Sequence, residues 1–180
     1  MQPDRAFTWK GNHPMTDNIL SLFDFNHWAD RRVLVACRGL TPVQYVTEPV
    51  PGWSSVRSSI AHIAMVTDGW LRTLAEDPDQ SAPTEAELAT VELAEALLDR
   101  AQRIFENLQA KFTPEWLATP RFLQRGGRSA TLPPWVVLRH IVNHSTYHRG
   151  QVASKLKRFD LNPPATDLVY WAFEQFPQQR

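Results

Sequence analysis

Three of the chain's six histidines, His140, His144 and His148, fall in one short stretch. An α-helix turns about 100° per residue, so positions i, i+4 and i+8 stack in a column on one face. Imidazoles on successive turns can reach a common ion through metal–nitrogen bonds of about 2.0–2.1 Å, as the two histidines of an HExxH helix do in zinc enzymes. All three cannot share one ion comfortably, because the column rises about 12 Å along the axis. The spacing therefore predicts a site in which at most two of these rings meet a donor from another helix. His62 is the best candidate for that donor. It lies mid-helix between Ile60 and Ile63, where an imidazole lacking a partner would be costly. The competing reading is a core histidine hydrogen-bonded to a backbone carbonyl or a carboxylate, and the residue types alone leave it open. His13 and His27 read as surface residues.

A divalent ion on three neutral imidazoles keeps its full charge and at least one open position. Closed structural zinc sites usually take four protein ligands, often cysteines, whereas three ligands plus water is the catalytic pattern. Such an ion can lower the pKa of a bound water or thiol, or polarise a carbonyl. Cysteine offers no competing chemistry. The single Cys37 can form no intrachain disulfide, and within Val33–Arg38 it reads as a small buried hydrophobe.

Helices must position these groups, and the apolar periodicity supplies them. Ile19, Phe23, Trp28, Val33 and their neighbours recur at three-to-four spacing, which predicts a helix over about Thr16–Arg38, closed by Gly39. Thr41-Pro42 suits a short capped turn. After a proline-rich loop, Ser54 or Ser55 caps a second long helix that carries His62 and ends near Asp77-Pro78. Thr84 followed by Glu87 is a capping-box pattern, which predicts a third helix from there to about Phe112. Residues 113–128 break the pattern, and Gly126-Gly127 suggests a turn or small hairpin. Thr131-Leu-Pro-Pro opens the fourth long helix, which carries the three histidines to about Arg158. Thr166 caps a last short helix. The expected fold class is an all-α four-helix bundle with short additional helices. Residues 1–14 read as a flexible extension ahead of a single domain over residues 15–180.

Composition narrows the function. Lysine plus arginine equals aspartate plus glutamate, 19 each, so no strong basic field exists for nucleic acid. No apolar run approaches the length of a membrane span, and Met1–Pro14 has no apolar core of the signal-peptide type. A cytoplasmic protein with a small-molecule substrate is the expectation. Seven tryptophans read first as core, with Trp28, Tyr147 and Trp171 as candidate pocket walls.

The run His140-Ile-Val-Asn-His144-Ser-Thr-Tyr-His148-Arg-Gly-Gln151 resembles the signature of the DinB family, the DinB/YfiT-like metalloenzymes. Three further pieces follow in family order: Phe25-Asn-His-Trp28-Ala-Asp30, Ser58-Ser-Ile-Ala-His62-Ile, and Pro163-Pro-Ala-Thr-Asp167-Leu. The likeness covers about residues 16–175. It implies a four-helix bundle, often a homodimer, with a metal held by His62, His144 and His148. His140 takes a supporting or packing role. The metal is zinc or nickel first, with iron or copper as alternatives, since imidazole suits all four. Relatives with known activity imply a divalent-metal-dependent transferase that moves a low-molecular-weight thiol, such as bacillithiol, mycothiol or glutathione, onto an electrophilic small molecule. A metal-dependent hydrolase, with Asp68 or Asp167 as base, and a non-catalytic metal-binding bundle of the stress response are the alternatives. Two residues depart from the family pattern. Phe25 replaces a tyrosine, and Asp30 replaces an asparagine and is expected to face solvent. Gln151 is placed to point toward the site, and Arg149 to anchor a neighbouring helix.

Overall fold

The long periodic segments are helices in a computed structural model of the chain, which describes residues 14–79, 81–125 and 127–176. Four are long: α1 (Pro14–Cys37), α3 (Val56–Ala75), α4 (Val91–Gln109) and α6 (Pro134–Arg158). Short helices α2 (Pro42–Val46), α5 (Pro114–Ala118) and α7 (Leu168–Gln175) and a hairpin of β1 (Arg121–Arg125) and β2 (Arg128–Leu132) complete the order α1-α2-α3-α4-α5-β1-β2-α6-α7. The extension expected over residues 1–14, with His13, lies outside the described residues except for Pro14, which begins α1. No helix among the described residues is long and apolar enough to cross a membrane.

Local chemistry sets the helix starts. Thr41 and Gln44 form a reciprocal capping box on α2, and the Ser55 hydroxyl accepts from the Ser58 amide at the start of α3. The third long helix begins later than its sequence suggests. Thr84 and Glu87 do make both capping-box bonds, but around an isolated turn. The helix itself starts at Val91 behind the cap Thr90, whose hydroxyl accepts from Leu93, and it stops at Gln109 rather than Phe112. Thr113 with Pro114 at the first position adds a helical turn, α5, inside the stretch expected to be irregular. The hairpin turns where expected, with Arg125 opposite Arg128 and Gly127 at φ +74°. Its second strand takes residues through Leu132, so α6 opens at Pro134 and not at Thr131. At α7 the cap position is Asp167 rather than Thr166.

Packing closes the four long helices into a ring. α3 lies against α4 and α6, α1 lies against α6, and α1 meets α4. Arg31 bridges to Glu95 and, at 2.7 Å, to Asp99, so ion pairs line the α1–α4 seam. Phe23 stacks on Phe105 at 3.8 Å between centroids, and Leu138, Ile141, Leu156 and Ile63 are essentially inaccessible to solvent. Each such side chain contributes about 1.5–3 kcal/mol of burial. This is the all-α bundle expected from the pattern, and its α3–α6 seam brings the histidines together.

Candidate metal centre

The buried stripe of α6 runs through Leu138, Ile141, Ser145, Arg149, Val152 and Leu156. His144 and His148 each precede a stripe residue by one position, so about 100° of rotation carries them off the core to the edge of the helix. Both are half-buried there. His62 sits likewise on α3, between buried Ala61 and Ile63 but itself exposed. The α3–α6 contact sets these two edges facing each other.

The three rings converge. Centroids of His62 and His148 are 4.6 Å apart, those of His62 and His144 4.9 Å, and those of His144 and His148 4.4 Å. Each residue offers a ring nitrogen within 4.8 Å of the other two, and no fourth histidine, cysteine or carboxylate joins them among the described residues. Nε2 of His144 stands 3.1 Å from Nε2 of His62. Nitrogens bonded at about 2.0–2.1 Å to one ion stand about 3.3–3.4 Å apart at the tetrahedral angle and about 2.9 Å apart at a right angle. The donor set therefore fits a divalent ion. The three imidazoles could hold one, with the solvent side left open.

Electrostatics favour the same state. Burial, then the neighbouring His148, His62 and His140, pushes His144 down to about 4. Burial and His148 lower His62, and burial lowers His140. Their lone pairs are thus free at neutral pH, as ligation requires. His148 Nδ1 lies 2.8 Å from Gln151 Oε1. The amide oxygen only accepts, so Nδ1 carries the proton and Nε2 keeps the lone pair. Gln151 therefore points to the site, as its spacing suggests. His140 stands one turn away, its ring 5.4 Å from that of His144 and edge-on to Trp70 at 6.0 Å, outside the three-residue cluster.

Arg149 does anchor a neighbouring helix. Its buried guanidinium donates to Asn26 Oδ1 and Asp30 Oδ1 on α1, both at 2.7 Å, and to Thr146 Oγ1 at 2.8 Å. Asp30, expected in solvent, is instead buried, and it also accepts from Asn26 Nδ2 at 3.0 Å. The first-helix motif and the fourth-helix motif thus meet in one polar lock beside His148. The solvent reading failed because the partner of Asp30 lies 119 residues away. His27 is likewise half-buried rather than a surface residue. It lines a small cavity with Asn26 and Asp30, and burial lowers its pKa.

Of the three candidate wall residues only Tyr147 stands at the histidines, 66% exposed and edge-on to His148 at 5.0 Å. Trp28 instead donates to Glu174 at 2.8 Å, tying α7 to α1, and Trp171 is buried in the core. Asp68 is buried and held in a two-pronged bond by Arg100, at 2.8 and 2.7 Å. Asp167 lines a separate groove with Leu22, Arg139 and Leu168. Cys37 is buried, and that burial pushes its thiol up to about 12, so it offers no nucleophile. Lys155 and Ser59, which face each other across the α3–α6 seam beyond Gln151, escaped the sequence reading. Their positions at i+7 from His148 and i−3 from His62 are the signal that could have found them.

The model of the DinB family matches residues 15–180. "Protein DinB" of Bacillus subtilis (strain 168) is 23% identical over 167 residues, which cover 88% of this chain and 96% of that protein. The crystal structure of a DinB-like protein from Bacillus cereus ATCC 10987 superposes with a TM-score of 0.59 at 18% identity, covering 80% of this chain and 94% of that one, a likeness of fold.

Proposed function

The chain belongs to the DinB family, and from that premise we propose that it is a metal-dependent transferase that joins a low-molecular-weight thiol to a small electrophilic molecule. The observation that carries this reading is the open cluster of His62, His144 and His148, with three ring nitrogens within 4.8 Å of one another and no fourth protein donor among the described residues. A bound divalent ion would supply positive charge that keeps a thiol ionised near neutral pH. Burial keeps His144 and His62 unprotonated for that task. Gln151 holds the His148 ring in the tautomer whose Nε2 is free. The Arg149–Asp30–Asn26 lock holds the α6 backbone that presents His144 and His148. In the reaction the thiolate sulfur forms a bond to an electrophilic carbon, the leaving group departs with its electron pair, and the thiol proton passes to solvent. Tyr147, exposed at the rim, is placed to contact the incoming electrophile.

Neither Asp68 nor Asp167 stands free beside the histidines, which weighs against general-base hydrolysis. The deciding experiment incubates the zinc- or nickel-loaded protein with 1-chloro-2,4-dinitrobenzene, with and without a thiol. Consumption that requires both thiol and metal, and is lost in His148→Ala, is the expected result. Thiol-independent consumption of an ester panel by the same preparation would favour hydrolysis instead.

A further inference from the structure

The column of α6 that carries His144 and His148 continues through Gln151 to Lys155, at i+7 from His144 and i+11, a spacing that keeps one helix face. Opposite it, α3 presents His62, Ser59 and the cap Ser55. The seam therefore holds two features in line, the histidine cluster and, about 10.5 Å further along α6 from His148, a lysine.

Lys155 is 4% exposed, and its ammonium donates to Ser54 Oγ at 2.8 Å, Ser55 O at 3.1 Å and Ser59 Oγ at 2.6 Å. All three partners are neutral, and no carboxylate lies within 4 Å among the described residues. Glu85, the acid whose field reaches it, is taken by Arg57 at 3.1 Å and by Ser58 at 2.7 Å. The ammonium also sits against the first turn of α3, the positive end of a 20-residue helix. A buried cation at a positive helix end, without an anion, is costly, and the desolvation lowers its pKa.

Beside this cation lies a cavity of about 330 Å³, lined by Trp53, Ser54, Gln151, Ser154 and Lys155. No acidic residue lines it. Arg158, its guanidinium 5.9 Å from the centre of the Trp53 ring, is a second positive charge beside one of the lining residues. Ser54 is exposed and accepts from Lys155, which leaves its own O–H to donate into the cavity. Gln151 is shared, lining the cavity and bonding His148.

We propose that this cavity is an anion subsite that takes a carboxylate on the small molecule whose other end reaches the three histidines. Lys155 supplies the charge, Ser54 the donor, and Trp53 an apolar wall. That the carboxylate belongs to a thiol bound at the histidines rests on the function proposed above, whereas the charge preference of the cavity does not.

The test titrates 8-mercaptooctanoate and its neutral amide, 8-mercaptooctanamide, into zinc-loaded and metal-free protein by calorimetry. The extended length of the mercapto acid is close to the rise of about 10.5 Å between His148 and Lys155. In zinc-loaded protein the carboxylate should bind about tenfold or more tightly than the amide, the range of a charge-assisted hydrogen bond. The same preference should persist, at weaker overall affinity, without metal. Lys155→Met should abolish the preference while zinc content is unchanged. Ser54→Ala, at an exposed position that does not threaten folding, should reduce it severalfold and keeps the test decisive where the lysine variant does not fold. Equal binding of acid and amide to wild-type protein, or a preference that survives both substitutions, overturns the subsite. A protein that takes up neither zinc nor nickel refutes the function proposed above, and the metal-free titration then decides for the cavity alone: no preference there overturns it.

Discussion

Replacing Arg149 by methionine removes the guanidinium that pairs with Asp30 inside the bundle. Arg149 is 1% exposed and Asp30 7%, so neither charge has water to fall back on. The substitution keeps much of the apolar stem but deletes three donated hydrogen bonds, leaving the carboxylate with the Asn26 amide. Breaking a buried pair from one side costs about 3–5 kcal/mol, chiefly for the charge left behind. For a chain of this size that is a fall in Tm of about 6–20 °C. The pH dependence is a sharper test. Burial already holds the Asp30 carboxyl above its ordinary value, against the opposing pull of Arg149. Without the guanidinium it rises further. A carboxyl whose folded pKa exceeds its unfolded one loses stability as pH rises through the folded value, so the deficit of the variant relative to wild type should shrink on acidification from pH 7. Adding Asp30→Asn should recover about 1–3 kcal/mol, because a neutral amide tolerates the site better than an orphaned charge. Urea unfolding of wild type, the single variant and the double variant at pH 5 and pH 7 measures all of this. A deficit under about 1 kcal/mol, independent of pH and unmoved by the second substitution, would refute the buried-charge account.

Three other outcomes follow from the site. Metal analysis of untagged protein should find near-stoichiometric divalent metal in wild type and little in His148→Ala; equal content in both would remove that residue from the ligand set. Gln151→Leu should leave the fold intact by circular dichroism yet weaken metal binding about 10–100-fold, the usual effect of losing a hydrogen bond that orients a ligand, and an unchanged affinity would mean the His148 ring is fixed by packing alone. His144 stands at about 4 in the fold against an ordinary 6.5, so the unfolded chain binds its proton first, and metal-free protein should lose stability as pH falls from about 6.5 toward 4. Should His144→Gln show the same slope over that range, the loss belongs to other groups.

Much of the bundle was legible in order along the chain. The four apolar stripes, the caps Thr41 and Ser55, and the turn at Gly127 are local signals, and they put the four long helices and the hairpin in the expected order. The errors fell where local signals compete. Thr84 and Glu87 satisfy each other without nucleating a helix, and Thr131 is taken by β2 before α6 can use it. The candidate metal site was half legible. His144 and His148 share a helix face by arithmetic of spacing alone, and Gln151 follows from the same arithmetic.

Which side of α6 meets which helix is a different kind of fact. A periodic stripe says that one face is buried and never names the element that buries it. The 3.1 Å approach of His62 to His144 spans 82 positions, and the bond between Arg149 and Asp30 spans 119. The position of Asp30 looked like an exposed helical site, and only the docking of α1 on α6 made it a buried partner. Lys155 escaped notice in the sequence, because its burial depends on α3, whose Ser55 and Ser59 cover it. Backbone propensity and side-chain periodicity act over a few residues, so the helices and their polar and apolar faces are written in the chain. The pairing of those faces is settled by packing all of them at once, and that packing set the environment of every charge discussed above.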